Sequence, residues 1–140
     1  MAKRVSTIVQ TVIIPARPAH VYAAFTNARI HTAVTGAPAT GRARVGGAFT
    51  AWDGYIFGIH RELTKDRRIV QDWQTTEWPA GAAPSRLALS FEAVTGGTKV
   101  RMVHSDVPAE QANAYRQGWI DFYWNPLKAY FTEGRAAGRN

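Results

Sequence analysis

In the segment Thr98 to Ser105, Val100, Met102 and His104 share one side of an extended chain, opposite Lys99, Arg101 and Val103, because successive side chains alternate across a strand. That puts an imidazole among apolar neighbours near the start of the last helical segment, where it could orient a polar ligand group or act as acid or base. A core histidine bonded to main chain produces the same pattern. By the same alternation Leu87, Leu89 and Phe91 point inward on their strand, and Phe57, Ile59 and Leu63 on theirs. Between Arg68 and Trp78, one parity holds Ile69, Gln71, Trp73, Thr75 and Glu77, and the other holds Val70, Asp72, Gln74, Thr76 and Trp78. If Ile69 and Trp73 face inward they take Gln71 with them, a polar group that then needs a partner or a ligand. Trp52, Tyr55, Trp73, Phe91, His104, Trp119 and Tyr123 are the candidate ligand-binding residues. Large aromatic faces with polar tips suit an amphipathic guest in an apolar cavity, although aromatic residues in this number are equally the filling of a core.

The same search yields no catalytic residue, metal site or cofactor. There is no G-x-S-x-G elbow, no phosphate-binding glycine loop, no H-E-x-x-H and no acidic pair placed for glycoside hydrolysis. With no cysteine in 140 residues, thiolate metal sites, iron-sulfur clusters and cysteine nucleophiles are excluded. His20, His31, His60 and His104 lack metal-ligand spacing with one another or with carboxylates. Asp53, Asp72 and Glu77 lie near the aromatic candidates but read as solvated acids.

The formal net charge is +7, and no acid precedes Asp53 while Lys3, Arg4, Arg17, Arg29, Arg42 and Arg44 do. Such a basic face suits an acidic protein partner or an anionic ligand. Its bases are scattered singly without a stacking motif, so nucleic acid is not an expected partner. The N-terminal apolar stretch is short, alternating and without a small-residue cleavage site, which reads as a strand and not a signal peptide. No apolar run approaches the roughly 18 residues needed to cross a membrane. The expectation is a soluble cytoplasmic protein of one domain, residues 1–140, monomeric or homodimeric.

Positioning the candidates requires a meander and a long helix. Strands are expected at about Val5–Ile14, Ala48–Trp52, Tyr55–Leu63, Arg68–Trp78, Arg86–Val94 and Thr98–Ser105, with a short, poorly specified one within Thr40–Val45; Gly46-Gly47, Asp53-Gly54, Lys65-Asp66 and Gly96-Gly97 mark the turns. A helix opens at Pro18, with Val21, Tyr22 and Phe25 as its apolar face, and a second covers about Ala28–Val34. Trp78–Pro84 is a loop bordering a possible cavity mouth. The last helix, capped by Asp106 or Ser105, runs to about Thr132 and should bend near Phe122 because of Pro126; the tail from Gly134 frays. At roughly 100° per residue, Phe122, Tyr115, Pro126, Trp119, Tyr130, Tyr123, Leu127, Ile120 and Phe131 fall on one half of that helix. A stripe so wide and aromatic should lie across a broad sheet rather than against one partner helix.

The wording of four segments, VGGAFTAWDGY (Val45–Tyr55), RIVQDWQTTEWPAG (Arg68–Gly81), GGTKVRMVHSDVP (Gly96–Pro108) and GWIDFYWNPLKAYF (Gly118–Phe131), resembles the SRPBCC or START-like helix-grip superfamily. Within it, the chain is similar to the branch named for the C-terminal domain of the activator of heat-shock-protein-90 ATPase. The resemblance implies an α+β, birch-pollen-allergen-like fold: a curved antiparallel sheet of about six strands, two short helices, and a long C-terminal helix across the concave face. It also implies three functions to weigh. The first is non-enzymatic binding of a small hydrophobic or amphipathic molecule between sheet and helix. The second is a stress-linked co-chaperone acting on the heat-shock protein 90 ATPase. The third is cyclase-like or hydrolase-like chemistry in the same cavity, for which His104 would need an acid or a bound substrate within hydrogen-bond reach.

Overall fold

The computed structural model describes residues 4–136; of the tail expected to fray from Gly134, residues 134–136 continue the last helix and 137–140 lie outside the described residues. The β-branched run Val5–Ile14 forms strand β1, which turns at Pro15 into helix α1, Pro18–Thr26. Pro18 suits the first helical turn, where its missing N–H is no loss. Helix α2, Ala28–Thr35, follows directly, because the Asn27 side chain accepts from the Arg29 and Ile30 amides at 3.0 and 3.1 Å. Gly36, at φ 80°, closes it in the left-handed conformation that favours glycine.

Six more strands complete the sheet: β2 Thr40–Gly41, β3 Ala48–Ala51, β4 Ile56–Thr64, β5 Arg68–Thr75, β6 Ser85–Val94 and β7 Gly97–Pro108. Their order is β1-β7-β6-β5-β4-β3-β2, a seven-stranded sheet whose neighbours are all antiparallel. The seventh is the short β2, which ends at Gly41 instead of continuing to Val45. The C-terminal helix starts with a 3-10 turn at Ala109–Gln111, continues as α3, Ala112–Trp119, widens into a π turn at Ile120–Trp124, and resumes as α4, Asn125–Ala136.

Three expectations need correction. Asp106 and Ser105 do not cap this helix: β7 runs through them to Pro108, and Asp106, at φ 61°, belongs to a bulge in which it and Ser105 stand opposite Thr7 alone. Phe57 and Ile59 do not face inward; Ile56 and His60 are buried instead and Ile59 is exposed. A bulge at Arg61 is the reason, since His60 pairs with Gln71 and Glu62 with Val70. Leu63 does pack on the core, but the extra residue reverses the alternation upstream of it. The helical stripe is also redrawn. Ile120 and Phe122 are exposed while Trp124 is buried, because π-turn hydrogen bonds span five residues and bring Trp119 and Trp124 to the same side, their rings stacked at 5.4 Å and 23°. The widening sits immediately before Pro126, which cannot donate to the helical ladder.

The inner face of the sheet then reads as expected on β6 and β7, and on β5, whose facing the sequence left open, the parity of Ile69 turns inward. Val100, Met102 and His104, Leu87, Leu89 and Phe91, and Ile69, Gln71, Trp73 and Thr75 are all buried against Val21, Ala24, Trp119, Tyr123, Trp124 and Leu127. On the outer face Asp72 pairs with Arg61 and Arg86. The helix is tied to the edge strand by Gln10, whose amide donates to the Arg116 carbonyl and accepts from the Trp124 indole at 3.0 and 2.7 Å.

Candidate functional site: an aromatic cavity under the helix

Between β5, the β3–β4 turn and α3 lies a cavity of about 540 Å³, within the range that holds small-molecule ligands. Trp73 and Trp119 form its floor and Tyr123 its far wall. Trp52 and Tyr55 come from the turn between β3 and β4, and Tyr115, Gly118 and Phe122 from the helix. Five of the seven residues expected to bind a ligand therefore line one space: Trp52, Tyr55, Trp73, Trp119 and Tyr123.

Trp52 does not end a strand, as the sequence suggests. It stands at φ 51°, followed by Asp53 at 57° and Gly54 at 86°, a run of left-handed residues that is costly for a bulky side chain. The turn projects the indole over the opening, where it meets Phe122 edge to face at 5.3 Å and 71°. Its N–H is buried and reaches only toward the Tyr123 hydroxyl, short of hydrogen-bond geometry; that hydroxyl is engaged by His31 Nε2 at 2.9 Å.

His104 and Phe91 lie elsewhere. Phe91 packs against Tyr22 and Phe25 under the short helices. His104, fully buried, stands behind Trp73 and Trp119, with ring centroids 4.6 and 5.8 Å away. Trp119 Nε1 donates to its Nδ1 at 3.1 Å, so the ring proton resides on Nε2, which faces Ser85 Oγ at 2.8 Å. Ser85 in turn donates to the Trp73 carbonyl at 2.6 Å. Each polar atom in this Trp119–His104–Ser85 relay is satisfied with the imidazole neutral, and burial holds the His104 pKa down to about 3. No carboxylate is among its partners. What the arrangement does is fix both tryptophan walls of the cavity to the sheet.

His31 is likewise neutral: burial lowers its pKa to about 4, opposed in part by the Ala24 backbone. Burial raises the Tyr123 phenol above its ordinary value. His60, lowered by burial, faces the Gln71 amide at 3.4 Å, which supplies the partner that an inward Gln71 requires. Among the described residues no group of three His, Asp or Glu side chains is placed to hold a metal, and no helix is long and apolar enough to cross a membrane.

The residues missed at the sequence level sit on the cavity rim. Tyr115 bonds to Thr75 Oγ1 at 2.7 Å. Glu77 accepts the Tyr55 hydroxyl, an arrangement that, after burial, raises the tyrosine pKa. Gln111 donates from Nε2 to the Glu77 carbonyl at 2.7 Å, while its Oε1 is buried without a partner. Tyr115 and Phe122 were visible on the helical stripe; Glu77 shared the parity of Trp73. Nothing in the sequence singled out Gln111.

Comparisons with known proteins agree with this architecture. The profile of the family described as activator of Hsp90 ATPase homolog 1-like protein matches residues 15–132. A human protein named activator of 90 kDa heat shock protein ATPase homolog 1 is 33% identical over 117 residues, which is 84% of this chain and 34% of that protein, so the chain spans about a third of its length. The crystal structure of an HSP90 activator from Plasmodium falciparum superposes with a TM-score of 0.82 at 24% identity, covering 90% of this chain and 96% of that one. The solution structure of the Aha1 dimer from Colwellia psychrerythraea gives 0.75 at 18% identity, covering 89% and 95%. With the profile spanning most of its length and its α+β helix-grip sheet in place, the chain belongs to the activator of Hsp90 ATPase homolog 1-like family.

Proposed function

We propose that this protein binds a small amphipathic molecule, without transforming it, in the cavity between β5 and the C-terminal helix. The observation that carries the reading is the cavity itself: about 540 Å³ of aromatic-walled space left open beside an interior that is otherwise closely packed and hydrogen-bonded. Two buried polar atoms without partners, Trp52 Nε1 and Gln111 Oε1, both belong to residues of its lining. Buried polar groups are almost always paired, and a guest would complete this set. His104 serves such a site by holding Trp119 in place, not by touching the ligand.

The test is a thermal-shift and native mass spectrometry screen of apolar and amphipathic compounds, repeated on Gly118→Leu. A cysteine-free helix position whose added Cβ would meet only Phe122 at 3.7 Å is a mild place to fill the cavity. Compounds that raise Tm of the native protein should have no effect on the filled variant. If no compound shifts Tm, the reading is lost.

A second reading follows from the 33% identity to the human activator: stimulation of an Hsp90-type ATPase, with the basic N-terminal third meeting an acidic chaperone surface. It is checked by measuring the cognate chaperone's ATPase with micromolar protein. An unchanged rate removes it.

A further inference from the structure

Of the unspent polar groups on the cavity lining, the Trp52 N–H is a donor, while the rim at Glu77 and Gln111 offers acceptors. Although the chain carries 17 Lys and Arg against 10 Asp and Glu, among the described residues no Lys or Arg lines the cavity, whereas Glu77 and Glu110 do. Glu110 lies in the first turn of the helical segment, where its charge offsets the positive end of the helix. Glu77 has no such role. It takes one hydrogen bond from Tyr55 and is in no ion pair among the described residues. Beside it, Gln111 spends its amide hydrogen on the Glu77 carbonyl and leaves Oε1 unpaired. A carboxylate and an amide oxygen at one rim, both acceptors, face a space walled by Trp52, Tyr55, Tyr115 and Trp119. Aromatic faces attract cations through their quadrupoles, and acceptors attract N–H donors.

We infer that the ligand class of this cavity is an apolar amine: an alkyl or aryl chain lying on Trp73 and Trp119, with its ammonium at Glu77 and Gln111. The inference rests on the cavity reading above and adds a sign to it. A fatty carboxylate of the same length would bring a like charge to Glu77 with no Lys or Arg of the lining to receive it. The protein's net charge of +7 acts the other way, drawing anions toward the surface as a whole, so a preference for a cation has to come from the site.

Decylamine, decanol and decanoate, each kept below micelle formation in about 150 mM salt so that long-range attraction is screened, can be compared by isothermal calorimetry and tryptophan quenching. Decylamine should bind about tenfold tighter than decanol, and decanoate weakest. Glu77→Gln keeps an acceptor for Tyr55 and should bring decylamine to within about twofold of decanol. Decanol or decanoate binding as tightly as decylamine, or decylamine unaffected by Glu77→Gln, would overturn the inference while the cavity reading stands. If none of the three binds, the cavity reading falls and takes the inference with it.

Discussion

Trp73 and Trp119 are shared by two halves of the helix–sheet interface that use similar residues to opposite ends. Behind them, the rings of His104, His31 and Trp124 pack together with Ser85 and with Tyr123, whose ring also reaches the cavity, and the Trp119 indole, both nitrogens of the His104 imidazole, the serine hydroxyl, the Tyr123 hydroxyl and the Trp124 indole each have a hydrogen-bond partner. In front of them, Trp52, Tyr55, Tyr115 and Phe122 surround open space, and Trp52 and Gln111 keep unpaired polar atoms. Aromatic content therefore does not distinguish a core from a binding wall in this protein; polar satisfaction does. A tryptophan whose N–H is spent inside the protein is a structural element, and one whose N–H is idle beside a void is available to something else.

The contrast is broken most severely at the shared wall. Trp119→Ala should cost about 4 kcal/mol, readable in urea unfolding, and should abolish binding as well; a loss below about 1 kcal/mol would mean that the two halves do not depend on that indole. Next comes acid, which reaches the closed half through its two buried histidines. His104 and His31 are neutral in the fold, with pKa values near 3 and 4 against 6.5 for a free histidine, so as pH falls the unfolded chain is protonated first. Stability from this source is complete above about pH 6.5 and is lost on the way down, by roughly 3 kcal/mol per histidine at pH 4. Denaturation curves between pH 7 and 4 should show the decline, and His104→Phe should reduce it by about half, the share of His31 remaining; an unchanged slope in that variant would reject the assignment.

A smaller effect is expected from Tyr123→Phe, which strips His31 of its partner and should cost about 1–2 kcal/mol with little change in cavity shape. Ligand affinity falling more than stability would move Tyr123 from the closed half to the open one. Smallest of all, Gly118→Leu should leave stability within about 1 kcal/mol of the native protein, since replacing a helical glycine is itself favourable, while removing binding. A marked destabilisation there would show that the cavity is too small to take a side chain.

The sheet was legible wherever alternation ran unbroken. On β6 and β7 the inward residues follow from parity; on β5 parity left two faces open, each with large apolar and polar residues, and only the fold turns Ile69, Gln71, Trp73 and Thr75 inward. On β4 the same rule fails upstream of Leu63, because the bulge at Arg61 inserts a residue that no periodicity announces. The helix fails in the same way: a stripe drawn at a constant angle includes Phe122 and omits Trp124, since the π turn changes the angle midway. Five cavity residues were recognisable from their type and face. The rim acceptors were not, because Gln111 acquires its meaning only from the Glu77 carbonyl, 34 positions away in sequence.

The widened turn at Ile120–Trp124 has a consequence for how relatives of this chain should be aligned. The π turn absorbs one extra residue, so loss of one residue there would restore ordinary helical winding and leave Trp124 and Leu127 facing the sheet. Ordinary winding with the residue kept would instead rotate everything downstream by roughly 100° and swing both side chains off it. A one-residue gap at this point in a homologue is thus compatible with the same anchor, whereas a gap of the same size further along the helix is not.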